Sequence, residues 1–279
     1  MDKRTALVTG ASSGLGSYLA VLLAERGWSL ILLNRHNAVS QPIVKTITAA
    51  NSNIEVEVFE ADLADQDSLS KAVESITLKH SRIDALFNNA GVLLGDLTYS
   101  KHNTEMHFQV NTLAPYMIMQ LLRPQLSASK HSRVINVSSG AIAMTGKLRI
   151  KELRQPPQLQ KLFGAYAQSK LALTTLTNAL APEYQKEGII LRSVDPGGSK
   201  TRMTASSGMP QLLTLLRPLF FQSPMNGAKA IYDAAFNPKF DNQSGIFVAS
   251  SKITSPPRDA LDSTVQSSLL MLCQDLTGV

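Results

Sequence analysis

The sequence is poor in cysteine, in clustered charge and in long hydrophobic runs. Its one cysteine among 279 residues, Cys273, excludes an intrachain disulfide and a thiolate metal cluster, and it fits a reducing compartment. The five histidines include no H-x-x-x-H pair, so no metal site is predicted. No run of about 18 apolar residues occurs and the charged start, Met1–Arg4, shows no secretory signal. These absences predict a cytoplasmic protein with no integral membrane span.

Charge of either sign is also sparse. The net charge is +6, from 27 Lys and Arg against 21 Asp and Glu, and no five basic residues are consecutive. Scattered basic residues are typical of a solvated surface rather than of a nucleic-acid interface. The partner predicted from this pattern is a small molecule, and no nucleic acid. With 44% hydrophobic residues, the chain has enough apolar material for a sizeable core.

Apolar, β-branched runs alternate with helical patterns along most of the chain. Such alternation predicts an α/β fold in which a mostly parallel, seven-stranded sheet is doubly wound, with helices on both faces. We expect one domain over residues 1–279, with residues 1–195 as the binding and catalytic core. Residues 196–279 would form a substrate loop and a C-terminal strand and helix, as an appendage. The predicted strands are Thr5–Thr9, Trp28–Leu33, Ile54–Glu60, Ile83–Phe87, Arg133–Val137, Ile189–Val194 and Ile246–Val248. The predicted helices are Leu15–Gly27, Asp67–His80 (N-capped by Asp67 or Ser68), Thr104–Leu126 and Tyr166–Lys186.

A glycine-rich turn follows the first predicted strand, with glycines at positions 10, 14 and 16. Glycines allow a tight turn and a close approach of backbone to ligand. The N-terminus of the next helix offers free N–H groups and a positive dipole end to a phosphate. The turn therefore indicates a dinucleotide site, although a plain strand–helix connection would give a similar pattern.

The second predicted strand is followed by Asn34 and Arg35, with no acidic residue beside them. In dinucleotide folds an acid at this point binds the ribose 2′-hydroxyl, whereas an arginine accommodates a 2′-phosphate. The pair therefore favours NADP(H) over NAD(H). The alternative is that Arg35 is simply a surface residue.

Tyr166 and Lys170 are four residues apart on a predicted helix and would share one face. A nearby cation favours the phenolate and lowers the pKa of a tyrosine, which makes the pair a candidate general acid and base. A surface pair would show the same spacing. Polar or glycine-containing segments also follow three other predicted strands, at Ser138-Ser139, Asn88–Gly91 and Pro196-Gly197. Asn111 lies inside a predicted helix, where asparagine is not a favoured residue.

Taken together and in chain order, these motifs resemble the short-chain dehydrogenase/reductase family. The matching segments are T-G-x-x-x-G-x-G at Thr9–Gly16, Asp62-Leu63, N-N-A-G at Asn88–Gly91, Asn111, V-S-S at Val137–Ser139, Y-x-x-x-K at Tyr166–Lys170, and Pro196-Gly197 followed by Thr201. The resemblance implies a Rossmann-type domain and hydride transfer between a nicotinamide and a carbonyl or alcohol.

The resemblance also implies a role for each matching residue. The catalytic set would be Asn111, Ser139, Tyr166 and Lys170. The cofactor-binding set would be Gly10, Ser12, Ser13, Gly14, Leu15, Gly16, Asn34, Arg35, Asp62, Leu63, Asn89, Ala90, Gly91, Tyr166, Lys170, Pro196, Gly197 and Thr201. Family members commonly form dimers or tetramers, so a homodimer or homotetramer is expected.

Two features depart from the usual family pattern. The distance from Ser139 to Tyr166 is longer than usual, and the extra segment, about Lys147–Gly164, is similar to the retinol-dehydrogenase-like branch. Pro182 lies inside the helix of Tyr166, where a proline removes a hydrogen bond and predicts a kink or an early end.

An apolar substrate is expected to lie near Leu93, Met203 and Leu212. The last two belong to an apolar segment, residues 203–221, that could instead pack on the sheet, on another subunit or on a membrane surface. The competing function is an NADP(H)-binding sensor without turnover. A serine hydrolase finds no support, because no G-x-S-x-G motif occurs.

Overall fold

A single eight-stranded sheet organises the chain, in the order β3-β2-β1-β4-β5-β6-β7-β8. The computed structural model describes residues 3–158, 160–199, 208–209 and 222–279. Strands β1 to β7 are parallel, and β8 pairs antiparallel with β7 at one edge. The strands are β1 Thr5–Thr9, β2 Ser29–Asn34, β3 Val56–Glu60, β4 Ala85–Asn88, β5 Ser132–Val137, β6 Ile189–Asp195, β7 Ile246–Ala249 and β8 Lys252–Thr254.

Successive side chains of each central strand enter two different cores. In β1, Leu7 packs with one buried cluster while Ala6 and Val8 pack with the other, as the two-residue period of a strand requires. Helices cover both faces, so the parallel strands are buried on both sides. The helices are α1 Gly14–Glu25, α2 Gln41–Ala50, α3 Gln66–Lys79, α4 Met106–Phe108, α5 Ala114–Leu121, α6 Arg123–Ser127, α7 Ile150–Leu153, α8 Ala167–Lys186, α9 Pro224–Phe236 and α10 Ser263–Thr277.

The predicted α/β fold is confirmed, and the sheet has one strand more than predicted. Strand β8 follows a tight turn in which Ser250 and Ser251 both have positive φ, 50° and 58°. Two such residues form the kind of turn that joins antiparallel strands. All three residues of β8 are exposed, so no apolar alternation marks this strand in the sequence.

The expected helix over Thr104–Leu126 is broken into shorter pieces. A π-helical turn, Gln109–Leu113, separates α4 from α5, and α5 is separated from α6 at Leu122. Both α5 and α6 have a proline in their first turn, where its missing N–H is not needed. Prolines thus begin new helical segments inside what the apolar pattern predicts to be one helix.

Pro182 does not end α8, so the early end was wrong, while the alternative of a kink stays a prediction. The helix continues to Lys186, and Leu180, Ala181 and Tyr184 on either side of the proline are buried. Burial of these side chains outweighs the roughly 3 kcal/mol that an interior proline costs. The N-cap prediction for α3 was also wrong, since Asp65 caps this helix by accepting hydrogen bonds from Asp67 N and Ser68 N.

The described part of the C-terminal region, residues 222–279, packs against the sheet and its helices. Helix α9 packs on α1 and β6, β7 extends the sheet, and α10 packs on α8. Leu269 and Cys273 of α10 are fully buried in the core on that face. Within the described ranges, no helix combines the length and the apolar character needed to cross a membrane.

Candidate active site

A cavity of about 630 Å³ opens at the carboxyl ends of the parallel strands. This is the edge at which doubly wound sheets bind ligands. Fourteen of the residues predicted for the site line it: Gly10, Ser12, Ser13, Gly14, Leu15, Asn89, Ala90, Gly91, Leu93, Ser139, Tyr166, Lys170, Pro196 and Gly197. Thr201, Met203 and Leu212 lie outside the described residues. The cavity therefore brings together segments from four strand ends and from α8.

The turn after β1 is held by the segment after β4. Thr9 Oγ1 accepts hydrogen bonds from the backbone N–H groups of Asn89 and Ala90, both at 3.0 Å. In return, Asn89 Nδ2 donates to Thr9 O at 2.9 Å. Gly10 and Gly14 have positive φ, 68° and 60°, which glycine adopts without strain. The two segments thus form one rigid wall of the cavity.

The first turn of α1 faces this wall with backbone N–H groups available for an anion. Ser13 occupies the N-cap position, but its side chain makes no capping hydrogen bond there. A Cβ at Gly16 would lie 2.5 Å from Asn89 Nδ2 and closer still to Gly10 O. Gly16 itself does not line the cavity; it lets α1 approach the turn closely. The arrangement matches the phosphate site predicted from the glycine spacing.

Replacing Gly16 by alanine is expected to weaken dinucleotide binding about tenfold or more, because a methyl group in that gap must displace the turn. Calorimetric titration with NADPH would measure the loss. The matched control is Gly27→Asn at the other end of α1, where nothing lies within 4 Å and the positive φ suits asparagine. Equal affinity in the Gly16→Ala variant and the wild type would contradict the assignment of this turn.

The predicted adenosine corner lies beyond the cavity wall. Arg35 is exposed just after β2, and Asn34 is buried, with Nδ2 donating to Ser40 Oγ at 2.9 Å. Asp62 accepts a hydrogen bond from Ala64 N, and Leu63 is buried, so neither lines the cavity. A carboxylate that the sequence motifs do not include lies close to Asn34 at this corner.

That carboxylate belongs to Glu60, the last residue of β3. Glu60 pairs with Asn34 in the sheet register, and its Oε2 accepts a hydrogen bond from Asn37 N at 2.8 Å. Arg35 and Glu60 therefore contribute opposite charges to the same corner. Both are exposed, so water screens both.

Ser139 and Tyr166 meet on the opposite wall. Tyr166 is the last residue of a π-helical turn, Leu162–Tyr166, that leads into α8. Its phenol faces Ser139, whose side chain acts to lower the pKa of Tyr166, and Ser139 caps the 3₁₀ turn after β5 by accepting from Ala141 N at 3.2 Å. The neighbouring Ser138 points away and is bound to Thr174 Oγ1 at 2.8 Å. The structure thus brings Ser139, rather than Ser138, to the phenol.

The pKa of Tyr166 differs in direction from the sequence-based prediction. Burial of the phenol raises its pKa, the hydrogen bond from Ser139 lowers it, and the charge of Asp195 raises it further. The predicted lowering by Lys170 is not among these causes. In the protein without a ligand, the raised pKa keeps the phenol protonated, which is the form that acts as a general acid.

Lys170 is buried below the cavity, with its Nζ donating to the carbonyl oxygen of Val137 at 2.7 Å. Burial lowers the pKa of this ammonium group to about 8. A neutral carbonyl compensates only in part for the hydration that the ammonium loses. Lys170 therefore keeps unused hydrogen-bonding capacity at the cavity wall, which a ribose hydroxyl could take.

Asn111 braces the cavity from behind rather than lining it. Its Oδ1 accepts from Val92 N at 2.8 Å, and its Nδ2 donates to Val92 O at 3.1 Å and to Ser169 Oγ at 3.0 Å. One amide thus joins the segment after β4 to the start of α8. These contacts fix the position of two walls, and the catalytic role of Asn111 stays a prediction.

A buried pair, Glu105 and His107, supports the same walls; its segment, Glu105–Asn111, is similar to the retinol-dehydrogenase-like branch, but no role was predicted for either side chain. His107 Nε2 accepts from Leu94 N at 2.9 Å, and His107 Nδ1 lies 2.6 Å from Glu105 Oε1. The imidazole also packs edge-on against the ring of Tyr166, with centroids 6.1 Å apart. The available signal was the spacing of His107 and Asn111, which puts both on one helical face.

Apolar side chains surround the outer part of the cavity. Leu93 and Met209 are buried in its wall, while Met144 and Phe163 are exposed at 66% and 36%. Phe163 lies in the unusually long segment between Ser139 and Tyr166. Gln168 anchors this segment to α8, by accepting from Arg149 N and donating to Lys147 O.

The residues present fit a dinucleotide. The glycine turn lines the cavity at the N-terminus of α1, where backbone can approach a pyrophosphate, and a side chain at Gly16 would push α1 away from this turn. At the other end of the cavity, Ser139, Tyr166 and Lys170 offer hydrogen-bonding groups to a ribose and a reacting oxygen. No metal would be needed by this donor set.

Comparison with known proteins agrees with this geometry. The family model for short chain dehydrogenases matches residues 4–151 and 154–211. Human retinol dehydrogenase 13 is 31% identical, over 99% of this chain and 85% of the human protein. Among solved structures, an uncharacterised protein from Mycobacterium Paratuberculosis is similar with a TM-score of 0.77 at 26% identity, covering 99% of this chain and 94% of that one. The RhlG/NADP complex from Pseudomonas aeruginosa has a TM-score of 0.69 at 25% identity, with 88% and 94% covered.

The match extends over the glycine turn, the Ser139–Tyr166–Lys170 wall and the sheet that positions them. The relatives with retinol dehydrogenase names also span nearly the whole chain, which agrees with the branch suggested by the long segment before Tyr166. The chain therefore belongs to the short-chain dehydrogenase/reductase family of oxidoreductases, near its retinol-dehydrogenase-like branch.

Proposed function

We propose that the protein is an NADP(H)-dependent oxidoreductase that interconverts a lipophilic carbonyl compound and its alcohol, with Tyr166 as the general acid and base. The observation that carries this proposal is that Ser139, Tyr166 and Lys170 line the same cavity as the glycine turn after β1. When bound, the nicotinamide supplies or accepts the hydride.

The chain's own residues supply the proton and hold the reacting oxygen. In reduction, Tyr166 gives its proton to the carbonyl oxygen as the new C–H bond forms, and Ser139 donates a hydrogen bond to the same oxygen. Preorganised donors of this kind stabilise charge that develops in the transition state. Lys170 binds the ribose hydroxyls beside the phenol. Asn111 and His107 fix the positions of the segment after β4 and the start of α8 relative to each other. Oxidation runs through the same contacts in reverse.

The apolar mouth supports a lipophilic substrate. Leu93, Met144, Phe163 and Met209 present hydrocarbon and aromatic surface around the opening. Burying such a surface against an apolar ligand contributes roughly 25 cal/mol per Å². The relatives named retinol dehydrogenase support the same substrate class. A cytoplasmic location and a homodimer or homotetramer remain predictions.

Turnover against a panel of aldehydes and ketones tests the proposal. Medium-chain and aromatic carbonyl compounds should oxidise NADPH, followed by its absorbance, faster than short hydrophilic ones. Tight NADPH binding without oxidation by any member of the panel, and without NADP⁺ reduction by the matching alcohols, would instead favour a sensor. The presence of both Tyr166 and Lys170 favours the enzyme.

The proposed preference for NADP(H) depends on Arg35. Its guanidinium can bind a 2′-phosphate in a bidentate manner, whereas Glu60 repels the same phosphate. Arg35→Ala is expected to weaken NADPH binding about tenfold with little effect on NADH, and Glu60→Gln to strengthen NADPH binding by a smaller factor. Dissociation constants for both cofactors would measure these shifts. A ratio of NADPH to NADH affinity that neither variant changes would argue against this corner as the source of preference.

A further inference from the structure

An acidic side chain that the family motifs do not include lies in the wall of the cavity. Asp195 is the last residue of β6 and lines the cavity together with Ser139 and Tyr166. Among the ion pairs of the described residues, none involves Asp195. A partly buried carboxylate usually has a cationic partner. Within the ranges that the structure describes, no cationic side chain is paired with this carboxylate, which leaves its charge available to a ligand.

Backbone hydrogen bonds fix the carboxylate in place but do not explain its charge. Oδ1 accepts from Gly197 N at 3.0 Å, and the backbone N–H of Gly140 acts to lower the pKa of this side chain. A Cβ at Gly140 would lie 3.0 Å from Oδ2, so the loop after β5 packs directly on Asp195. A neutral acceptor would serve both N–H groups nearly as well. Burial raises the pKa of Asp195, so keeping a carboxyl group at this position is unfavourable for folding alone.

The carboxylate of Asp195 lies at the reacting end of the cavity, which is the end lined by Ser139 and Tyr166. Among described residues, Lys170 is the other charged side chain that lines the cavity, and its Nζ is bound to Val137 O. His107 packs against the tyrosine ring, with its two nitrogens engaged by Glu105 and Leu94 N. Asp195 thus brings a negative charge close enough to the phenol to raise its pKa.

We propose that Asp195 is a specificity-determining residue that recognises a positive charge at the reacting end of the cavity. The positive charge would be that of the oxidised nicotinamide ring or of a cationic group beside the substrate carbonyl. The inference rests on the proposed function for which end of the cavity reacts. A carboxylate in a partly desolvated wall favours a cationic ligand over a neutral one and disfavours an anionic one.

The first arm of the test measures binding without turnover. Dissociation constants of NADP⁺ and NADPH, which differ by the charge of the ring, are determined by calorimetry for the wild type and Asp195→Asn. We expect NADP⁺ to bind the variant about tenfold more weakly, with NADPH changed by less than about threefold. Asp84→Asn is the matched control, because Asp84 is a buried carboxylate that accepts from Thr5 N outside this cavity.

The second arm distinguishes the substrate as the source of the charge. Thermal shifts of the NADP⁺-loaded protein are measured with protonated 2-aminoacetophenone, 2-hydroxyacetophenone and phenylglyoxylate. A preference for the amine over the carboxylate that Asp195→Asn abolishes, with an unchanged cofactor ratio, assigns the charge to the substrate. If Asp195→Asn changes neither the ratio of NADP⁺ to NADPH affinity nor the preference among the three ketones, the proposal is overturned. Asp195 then has only the structural role of joining the loops after β5 and β6. Asp195→Ser, which keeps an acceptor, serves as the second variant should the amide unfold the protein. Neither arm requires catalysis, so a failure of the proposed function would be seen separately as absence of turnover.

Discussion

Replacing Tyr166 by phenylalanine is expected to lower kcat by about 10²- to 10⁴-fold, the usual range for removing a general acid. The ring, its edge contact with His107 and its place before α8 would be kept, and the hydroxyl lost. Because the phenol is held protonated by burial and by Asp195, no other group of the described wall is as well placed to protonate the product oxygen. Steady-state rates with the best carbonyl compound of the panel, and dinucleotide dissociation constants, would measure the effect.

Tyr184→Phe provides the matched control for loss of a buried phenol. Tyr184 lies on the same helix, fully buried, and its hydroxyl donates to Gln120 Oε1 at 2.6 Å, away from the cavity. This variant should lose roughly 1 kcal/mol of stability and keep its turnover. Equal turnover of Tyr166→Phe and the wild type, with cofactor still bound, would remove the proposed mechanism.

Replacing Lys170 by methionine is expected to lower turnover and, at neutral pH, to raise the free energy of unfolding by about 2 kcal/mol. Burial lowers the pKa of Lys170 to about 8, while the unfolded chain would hold the same proton to about pH 10.4. A pKa lowered by this amount corresponds to a loss of about 3 kcal/mol in the free energy of unfolding. The hydrogen bond from Lys170 to Val137 O offsets about 1 kcal/mol of that loss. Methionine fills similar space without a charge.

The stability difference should depend on pH in a defined window. Between about pH 8 and pH 10.4 the unfolded wild-type chain binds more protons at this position than the folded protein, so wild-type stability rises with pH. The advantage of Lys170→Met is therefore full below pH 8 and disappears near pH 10. Urea unfolding of both proteins at pH 7 and pH 10 measures it. A variant that is less stable than the wild type at both values would show that Lys170 is not destabilised by burial.

Local signals were sufficient to predict seven of the eight strands and most of the residues that the structure brings to the cavity. Strand β1 was predicted with its observed bounds, because a short apolar run followed by a glycine turn has few other interpretations. The glycines, Ser139, Tyr166 and Lys170 follow or flank such elements, so parallel strand ends bring them to one edge. The family resemblance added their roles, which spacing alone does not carry.

Elements with low intrinsic propensity or with fully exposed residues were missed. In α2, Ile43 and Ile47 are the buried residues of a helix otherwise rich in exposed and β-branched positions. Such a sequence has little helix propensity of its own, and packing on the sheet decides its structure. The exposed strand β8 and its Ser250-Ser251 turn lack the Asn-Gly type of signal that marks most tight hairpins.

The charges that act on Tyr166 and Arg35 could not be predicted from spacing in the sequence, because they come from residues that only the fold brings close. Lowering of the Tyr166 pKa was expected from the spacing to Lys170, whereas burial and the charge of Asp195 act in the opposite direction. Asp195 lies 29 positions after Tyr166 in the chain and becomes its neighbour through the pairing of β5 with β6. Likewise, the approach of Glu60 to the Arg35 corner follows from the register of β2 with β3.

Transfer of label from NADPH that carries deuterium at both nicotinamide C4 positions to the carbonyl carbon of a lipophilic substrate is the most direct measurement. The proposed function predicts that mass spectrometry finds one deuterium in the alcohol formed by the wild type and no labelled alcohol above background with Tyr166→Phe. An unlabelled alcohol from the wild type, or labelled alcohol formed equally fast by both proteins, would contradict it.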